Sequence, residues 1–410
     1  MPDIPDFSKR LFWFVVGINF LNYFDRFTLP AVLEPLGRDL LLTDEQRGIL
    51  GSAFLLSYMF AAPFFGLLGD KLRRPRVIAF GIALWSLATS ATALAQSFTS
   101  LAVLRSMVGV GEAAYYGLGV AMLCDIIPER QRATKLTFFF LAIPLGSAIG
   151  FGFSGWLAQA FGWRYSFLVA GLPGIVLAIM MWFVRDPERG AADLVFDGAK
   201  DLSLWGKLGI LFTHRIYIFA TLCYCFYTFS FGALSHWGAS LLQRQHGLGT
   251  GTAGLLIGGA TAITGIVGTF LGGFVVQKLQ TRYQNSDVYV SSGSLILGGI
   301  FLSGFMLSDN LFLVVLSLFL SMTLLFLNTT PVNNLTLSSL PASLRAMGAS
   351  INVFAIHALG DALSPSIVGV FSDRMGGTGP ALAKALLITV PAMVLSGFVL
   401  LAARRRPVTV

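Results

Sequence analysis

Long apolar runs separated by short polar connections fill the chain from residue 11 to residue 402. A helix needs about 20 such residues to cross the roughly 30 Å of hydrocarbon in a bilayer. Twelve segments reach that length: 11–36, 48–69, 77–97, 101–127, 136–158, 165–184, 216–241, 252–276, 288–308, 311–338, 347–372 and 381–402. Stretches such as Leu311 to Leu327 are apolar on every side, whereas the strands of a membrane barrel alternate apolar and polar positions over about ten residues. The pattern predicts an all-α membrane protein with twelve transmembrane helices.

The connections are short except between the sixth and seventh segments, where Arg185 to Arg215 is polar and opens with the breaker Asp186-Pro187-Glu188-Arg189-Gly190. That stretch divides the chain into an N-terminal six-helix bundle (1–184), a linker (185–215) and a C-terminal six-helix bundle (216–410). A faint repeat agrees with the division. GLLGDKL from Gly66 follows the second segment, and GFVVQKL from Gly273 follows the eighth, in the corresponding loop of the second half; parallel repeats of a two-bundle transporter produce such a match. The second copy lacks the acid.

Composition agrees with lipid as the main solvent: 55% of residues are hydrophobic and 12% charged, about half the charge of an ordinary soluble domain. The net charge of +8 raises the question of nucleic acid, but the placement of Lys and Arg answers it. With the N-terminus inside, the termini and even-numbered loops hold 20 of the 28 basic residues, the outer loops hold six (Arg38, Arg47, Arg164, Arg244, Arg374 and Lys384), and Arg26 and Arg105 lie within helices. This positive-inside bias places both termini in the cytoplasm, and the expected location is the inner cell membrane. The acidic start runs straight into the first long segment, without a short apolar core and small-residue cleavage site, so no signal peptide is expected. Cys124, Cys223 and Cys225 lack any zinc-site spacing and read as packing residues.

Charges inside apolar segments are the candidate chemistry, because they are costly there, by about 2.5 to 3.5 kcal/mol even on lenient scales. On the fourth segment Arg105 and Glu112 are seven residues, two helical turns, apart and share a face, with Gly109 between them leaving room for a substrate or a neighbour. Glu112 is relieved either by protonation, which would make it a proton carrier, or by a permanent salt bridge to Arg105 or Arg26. On the first segment Asn19, Asn22 and Arg26 share a face and Asp25 lies at its edge. Asp25 and Arg26 are adjacent and cannot point the same way, so each is expected to contact a different helix; alternatively Asp25 simply neutralises Arg26. In the second half His357 and Asp361 stand at i, i+4, ahead of Ser364 and Pro365, and read as a polar site or relay, whereas His236 beside Trp237 reads as an interhelical donor. Pro331, in the run Asn328 to Asn334, is expected to break the tenth helix where irregular backbone lines a cavity.

The segment GLLGDKLRRPR, Gly66 to Arg76, resembles the signature of major facilitator transporters between helices 2 and 3. Gly66 and Gly69 would admit a neighbouring helix. Asp70 sits where its own helix dipole disfavours an anion; the resemblance implies that it caps the eleventh helix and meets a base as a cytoplasmic latch, and the alternative is a solvated loop acid. Arg73 stands where that signature usually has glycine. Asn22-Tyr-Phe-Asp25-Arg26-Phe-Thr, Gly109-Val-Gly-Glu112-Ala-Ala, Ala142-Ile-Pro144-Leu-Gly-Ser-Ala-Ile-Gly150 and His357-Ala-Leu-Gly-Asp361-Ala-Leu-Ser-Pro365 are similar to the spinster branch of that superfamily. The resemblance implies the major facilitator fold and transport of sphingosine-1-phosphate or lysophospholipids, with Asp25, Arg26 and Glu112 as the polar core of the first bundle.

The expected site then has Asp25 and Glu112 for the coupling proton, Arg26, Asn22, Arg105, Tyr116, His357 and Asp361 for the substrate, and Asp70, Lys71 and Arg74 at a cytoplasmic gate. The main reading is a proton-coupled secondary transporter of an amphipathic lipid-like substrate; the rival is a transporter of a small organic anion such as a sugar acid, held by arginine. An enzyme is not expected, since no H-E-x-x-H or other nucleophile or metal constellation occurs, and the absence of G-x-x-x-x-G-K-[ST] argues against ATP-driven transport. No cofactor, metal or nucleic acid is expected. The partners foreseen are protons, membrane lipids and the substrate, with the chain acting as a monomer.

Overall fold

The computed structural model describes residues 6–189, 204–280, 282–341 and 344–404. Much of the expected linker, and Lys200, Arg405 and Arg406 of the basic tally, lie outside the described residues. Two compact units are formed, Met1–Val195 with Gly247–Gly259, and Phe196–His246 with Ala260–Val410.

The first unit contains α1 (Asp6–Asp39), α2 (Asp44–Lys71), α3 (Arg74–Thr92), α4 (Phe98–Ala113), α5 (Tyr116–Ile126), α6 (Glu129–Phe161) and α7 (Trp163–Trp182). Local signals set the ends. Thr43 caps α2 in a reciprocal box with Gln46, and Asp44 and Glu45 occupy the first turn, where the helix dipole favours acids. Ser97 and Ser100 do the same for α4. The reversal between α6 and α7 turns on Gly162, whose φ of +97° suits glycine. α4 and α5 form one rod, in which Ala114 and Tyr115 bond three residues back instead of four, so the fourth expected span is one segment with a tightened turn.

Packing in this unit joins α1 to α6, α2 to α4, and α3 to both α4 and α7. Its core gathers Ile18, Phe54, Trp85, Tyr115, Met122 and Phe139. Of the two glycines after α2's midpoint, Gly69 packs against Leu118, where a Cβ would lie 2.3 Å away, while Gly66 has nothing within 4 Å. Gly66 therefore does not mediate a helix approach, contrary to expectation, because the face it occupies is exposed.

The second unit contains α8 (Leu204–Thr213), α9 (Arg215–His246), the greater part of α10 (Thr250–Gln280), α11 (Ser286–Leu307), α12 (Leu311–Leu327), α13 (Thr329–Ser338), α14 (Arg345–Ile356), a π-helical turn (His357–Asp361), α15 (Ser364–Arg374), α16 (Gly379–Leu386) and α17 (Thr389–Leu401). α12 and α13 form one rod, as do α14 with α15 and α16 with α17. The break in the first of these falls at Asn328 and not at Pro331. Pro331 sits in the first turn of α13, where its missing N–H has no helical acceptor to lose.

Among the described residues, ten rods are long and apolar enough to cross a membrane. α1 and α3 complete the expected twelve; α1 is diluted by Asn19, Asn22, Asp25 and Arg26, and α3 starts on Arg74 and Arg76. Phe60, Phe64, Trp156, Val176, Phe270, Phe274 and Phe312 are exposed on these rods. Large apolar side chains in that number are costly against water and at home against acyl chains.

Candidate functional site

The polar core of the first unit is assembled by three helices. Arg26 on α1 donates to Glu112 Oε2 on α4 through Nη2 at 2.7 Å and Nε at 3.2 Å. The neighbouring Asp25 turns to α3 and accepts from Thr89 Oγ1 at 2.6 Å. Asp25 and Arg26 thus reach different helices, as adjacency on one helix requires. Asp25, Arg105 and Glu112 are each no more than 2% exposed, and the Arg26 side chain is 19% exposed. One edge of the Arg26–Glu112 pair therefore opens outward while its acid is sealed.

Aromatic faces complete the setting. The Arg26 guanidinium carbon lies 5.1 Å from the ring centroid of Tyr23, 4.9 Å from that of Phe54 and 5.3 Å from that of Tyr58. Such contacts stabilise a cation by about 2 kcal/mol or more once water is excluded. Arg105 lies against Phe54 at 5.0 Å, and its Nε and Nη1 are buried with no hydrogen-bond partner. Gly109 serves helix approach: a Cβ there would fall 2.3 Å from the Phe54 carbonyl and 2.2 Å from Ser57 Oγ. Of the two openings its small size offered, the neighbouring helix is the one taken.

The comparisons bear on this arrangement directly. The family described as Major Facilitator Superfamily matches residues 15–365. Protein spinster homolog 1 of Xenopus laevis is 30% identical over 382 residues, covering 89% of this chain and 73% of that protein. The chain belongs to the spinster branch of the Major Facilitator Superfamily. The sphingosine-1-phosphate transporter SPNS2 of Danio rerio is 28% identical, covering 87% of this chain and 74% of that one. A solved bacterial homolog to the human lysosomal transporter spinster, inward-facing and unoccupied, superposes with a TM-score of 0.87 over 98% of this chain and 99% of that one, at 21% identity; at that identity the likeness is one of fold. This spinster-family chain is an integral membrane transporter and not an enzyme.

The remaining candidate residues fall into separate groups. Asn22 lies beside Glu112, but Asn19 turns away and donates to the Phe139 carbonyl on α6 at 2.8 Å. Asn19 is a packing residue: although it stands two turns before Arg26 on α1, its amide is taken up by the backbone of α6. The ring of Tyr116 packs on Phe139 at 6.1 Å. In the second unit His357 Nδ1 lies 3.0 Å from both carboxylate oxygens of Asp361. The π-helical turn that holds them abuts α9: a Cβ on Gly360 would lie 2.0 Å from Thr228 Oγ1, and that hydroxyl donates to the Ile356 carbonyl at 2.9 Å. Single π-turns occur often at functional sites, since they re-aim side chains within a helix. His236 is buried with its ring edge-on to Trp237.

At the ends of α2 and α3 the charges sort unexpectedly. Asp70 is 79% exposed, 4.0 Å from Arg189, and Lys71 is also exposed. Arg189 donates to the carbonyls of Gly69 and Asp70, at 2.6 and 2.8 Å, and so caps the C-terminus of α2. Arg74 is buried and paired with Asp125 and with Asp186, and it donates to the Pro187 carbonyl at 2.8 Å. Arg73 has φ −68°, so no glycine is needed at that position. Sequence reasoning missed Thr89, Phe54, Asp125, Asp186 and Arg189. The breaker at Asp186 contained the clue, since acid and base there stood ready for the bases after Asp70.

Proposed function

We propose that this spinster-family transporter moves an amphipathic, lipid-like substrate of the sphingosine-1-phosphate or lysophospholipid type by alternating access, coupled to protons through Asp25 and Glu112. The observation that carries the reading is the Arg26–Glu112 pair, with its base partly open and its acid sealed. A phosphate arriving at Arg26 competes with Glu112 for the same guanidinium. Glu112, once released, is a buried carboxylate without its partner, a state costly enough that protonation relieves it. Substrate and proton are thereby bound together. Tyr23 and Tyr58 offer apolar surface beside the headgroup, and the name of the Danio rerio relative points to the same substrate class.

Asn22, Tyr116 and Arg105 complete the substrate contacts of the first unit, and His357 and Asp361 are substrate contacts of the second. Asp70, Lys71 and Arg74 belong to a cytoplasmic gate. The transporter acts as a monomer in the inner membrane with both termini cytoplasmic; a thiol reagent added outside whole cells then labels Arg164→Cys and not Arg132→Cys, and the reverse pattern overturns the orientation. Proteoliposomes holding purified protein test the transport reading. Uptake of labelled sphingosine-1-phosphate or lysophosphatidylcholine that saturates, exchanges in counterflow and responds to an imposed pH gradient supports it. Uptake of gluconate with neither lipid moved would establish the rival, a transporter of small organic anions in which Arg26 holds a carboxylate.

A further inference from the structure

Two cations share one ring. The guanidinium carbons of Arg26 and Arg105 lie 4.9 and 5.0 Å from the same Phe54 centroid. Phe54 is 3% exposed and cannot hydrogen-bond through its side chain, so its interaction with both is that of an aromatic face with charge.

The position of that ring is fixed by backbone. α2 and α4 meet so closely at Gly109 that any side chain there would strike the Phe54 carbonyl, and Ser57 donates to that carbonyl at 2.9 Å. Gly109 stands one turn from Arg105 and three residues before Glu112 on the same helix. The closeness of the two helices therefore sets the ring against the base of α4 as well as against Arg26 of α1.

The two bases are not equivalent in this frame. Arg26 is satisfied by Glu112. Arg105 has two buried nitrogens with no hydrogen-bond partner, and Asp25 has one buried carboxylate oxygen, Oδ1, in the same condition. The Arg105 charge acts on Asp25 and Glu112, and the other titratable groups facing this core are Tyr23, Tyr58 and Tyr116. What Arg105 has in place of a carboxylate is the face of Phe54.

We infer that Phe54 is a positioning residue for proton coupling: its ring keeps the two guanidinium groups apart, leaving Arg26 to Glu112 and holding Arg105 ready for Asp25. The inference rests on the reading of Asp25 and Glu112 as the coupling carboxyls. It explains why a base with unmet donors is tolerated in a buried core, since the ring stabilises Arg105 without competing for an acid.

The test needs no substrate. The infrared carbonyl band of protonated carboxyl groups is followed across a pH series for the full chain in lipid nanodiscs, and the band lost in Asp25→Asn is assigned to Asp25. Phe54→Leu is expected to change the proton affinity of that group about tenfold, the size of effect that one cation–π contact supplies. Phe54→Tyr, which keeps the ring, leaves it within about twofold of wild type. Phe54→Met replaces Phe54→Leu if the leucine variant fails to fold. An unmoved band in the ringless variant, or equal displacement in Phe54→Tyr, overturns the role of Phe54 alone. A wild type with no titrating band assignable to either Asp25 or Glu112 overturns the coupling reading itself, and this inference with it.

Discussion

The two units place their ionisable groups in opposite ways. In the first, Arg26 and Glu112 are 86 residues apart in the chain and Asp25 and Thr89 are 64 apart, and the acids are sealed. In the second, His357 and Asp361 are four residues apart on one rod, with side chains 21% and 19% exposed. A pair joined across helices exists only while those helices hold one arrangement, so its charge state is tied to conformation. A pair within one turn survives any movement of its rod. On the proposed reading, this contrast is the reason coupling is sought at the acids of the first unit and not at His357 and Asp361.

The sharpest way to break that contrast is to neutralise an acid in each unit. Glu112→Gln is expected to abolish the response of uptake to an imposed pH gradient, and Asp25→Asn likewise, with counterflow exchange retained in at least one of the two. Asp361→Asn is expected to weaken uptake of labelled sphingosine-1-phosphate by about threefold to tenfold, the loss of one exposed charge-assisted contact, while the pH response persists. A normal response in both first-unit variants would make the buried carboxyls structural. Loss of the response in Asp361→Asn would move coupling to the second unit.

The helical architecture was legible because lipid demands it: all backbone groups must be paired within each span, and runs of about 20 apolar residues are hard to mistake. The candidate charges were legible for the same reason, since Asp25, Arg26, Arg105 and Glu112 stand out in apolar segments. Their pairing was legible only in part, since the sequence left Glu112 between Arg105 and Arg26. Helical spacing put Arg105 and Glu112 on one face, yet Glu112 bonds to Arg26 of another helix, and periodicity within one segment carries no information on rotation against a neighbour. Phe54 was invisible among 36 phenylalanines, because nothing in a sequence marks the ring that meets a cation. The break at Asn328 was misplaced by three residues, since proline is tolerated in a first helical turn.

The ends of α2 and α10 extend the comparison. After α2 the first unit has bases that find acids, with Arg74 buried between Asp125 and Asp186. The corresponding stretch of the second unit reads Gln277-Lys278, without the acid. Arg74→Ala takes the shared base from two partly buried carboxylates and is expected to lower stability by about 2 kcal/mol, read as a loss of thermal stability in nanodiscs. Asp70→Asn, at an exposed position, is expected to cost less than about 0.5 kcal/mol. Electron-resonance distances between spin labels at these helix ends test the proposed gate: Arg74→Ala is expected to widen or shift them, and Asp70→Asn to do so to a smaller degree. A larger change in Asp70→Asn would return the latch to that acid.

The smallest expected effect lies at the opposite end of the first unit, where Arg164 at the start of α7 donates to Asp39 at the end of α1 at 2.6 Å, and Trp163 adds a bond at 3.0 Å. These two donors hold the Asp39 carboxyl below its usual range, the arginine contributing most. The pair is 41% and 45% exposed, so solvent screens it and its worth is about 0.2 to 1 kcal/mol. The sign follows from linkage: an acid with a depressed folded value contributes fully above its unfolded value near 3.9, and the contribution fades as pH falls through the folded value. Asp39→Asn should therefore differ from wild type in thermal stability by a degree or two at pH 7, a gap that added salt narrows and that closes on acidification below about pH 3. A gap that instead persists unchanged at low pH would show that Asp39 acts through packing with Trp163 and not through its charge.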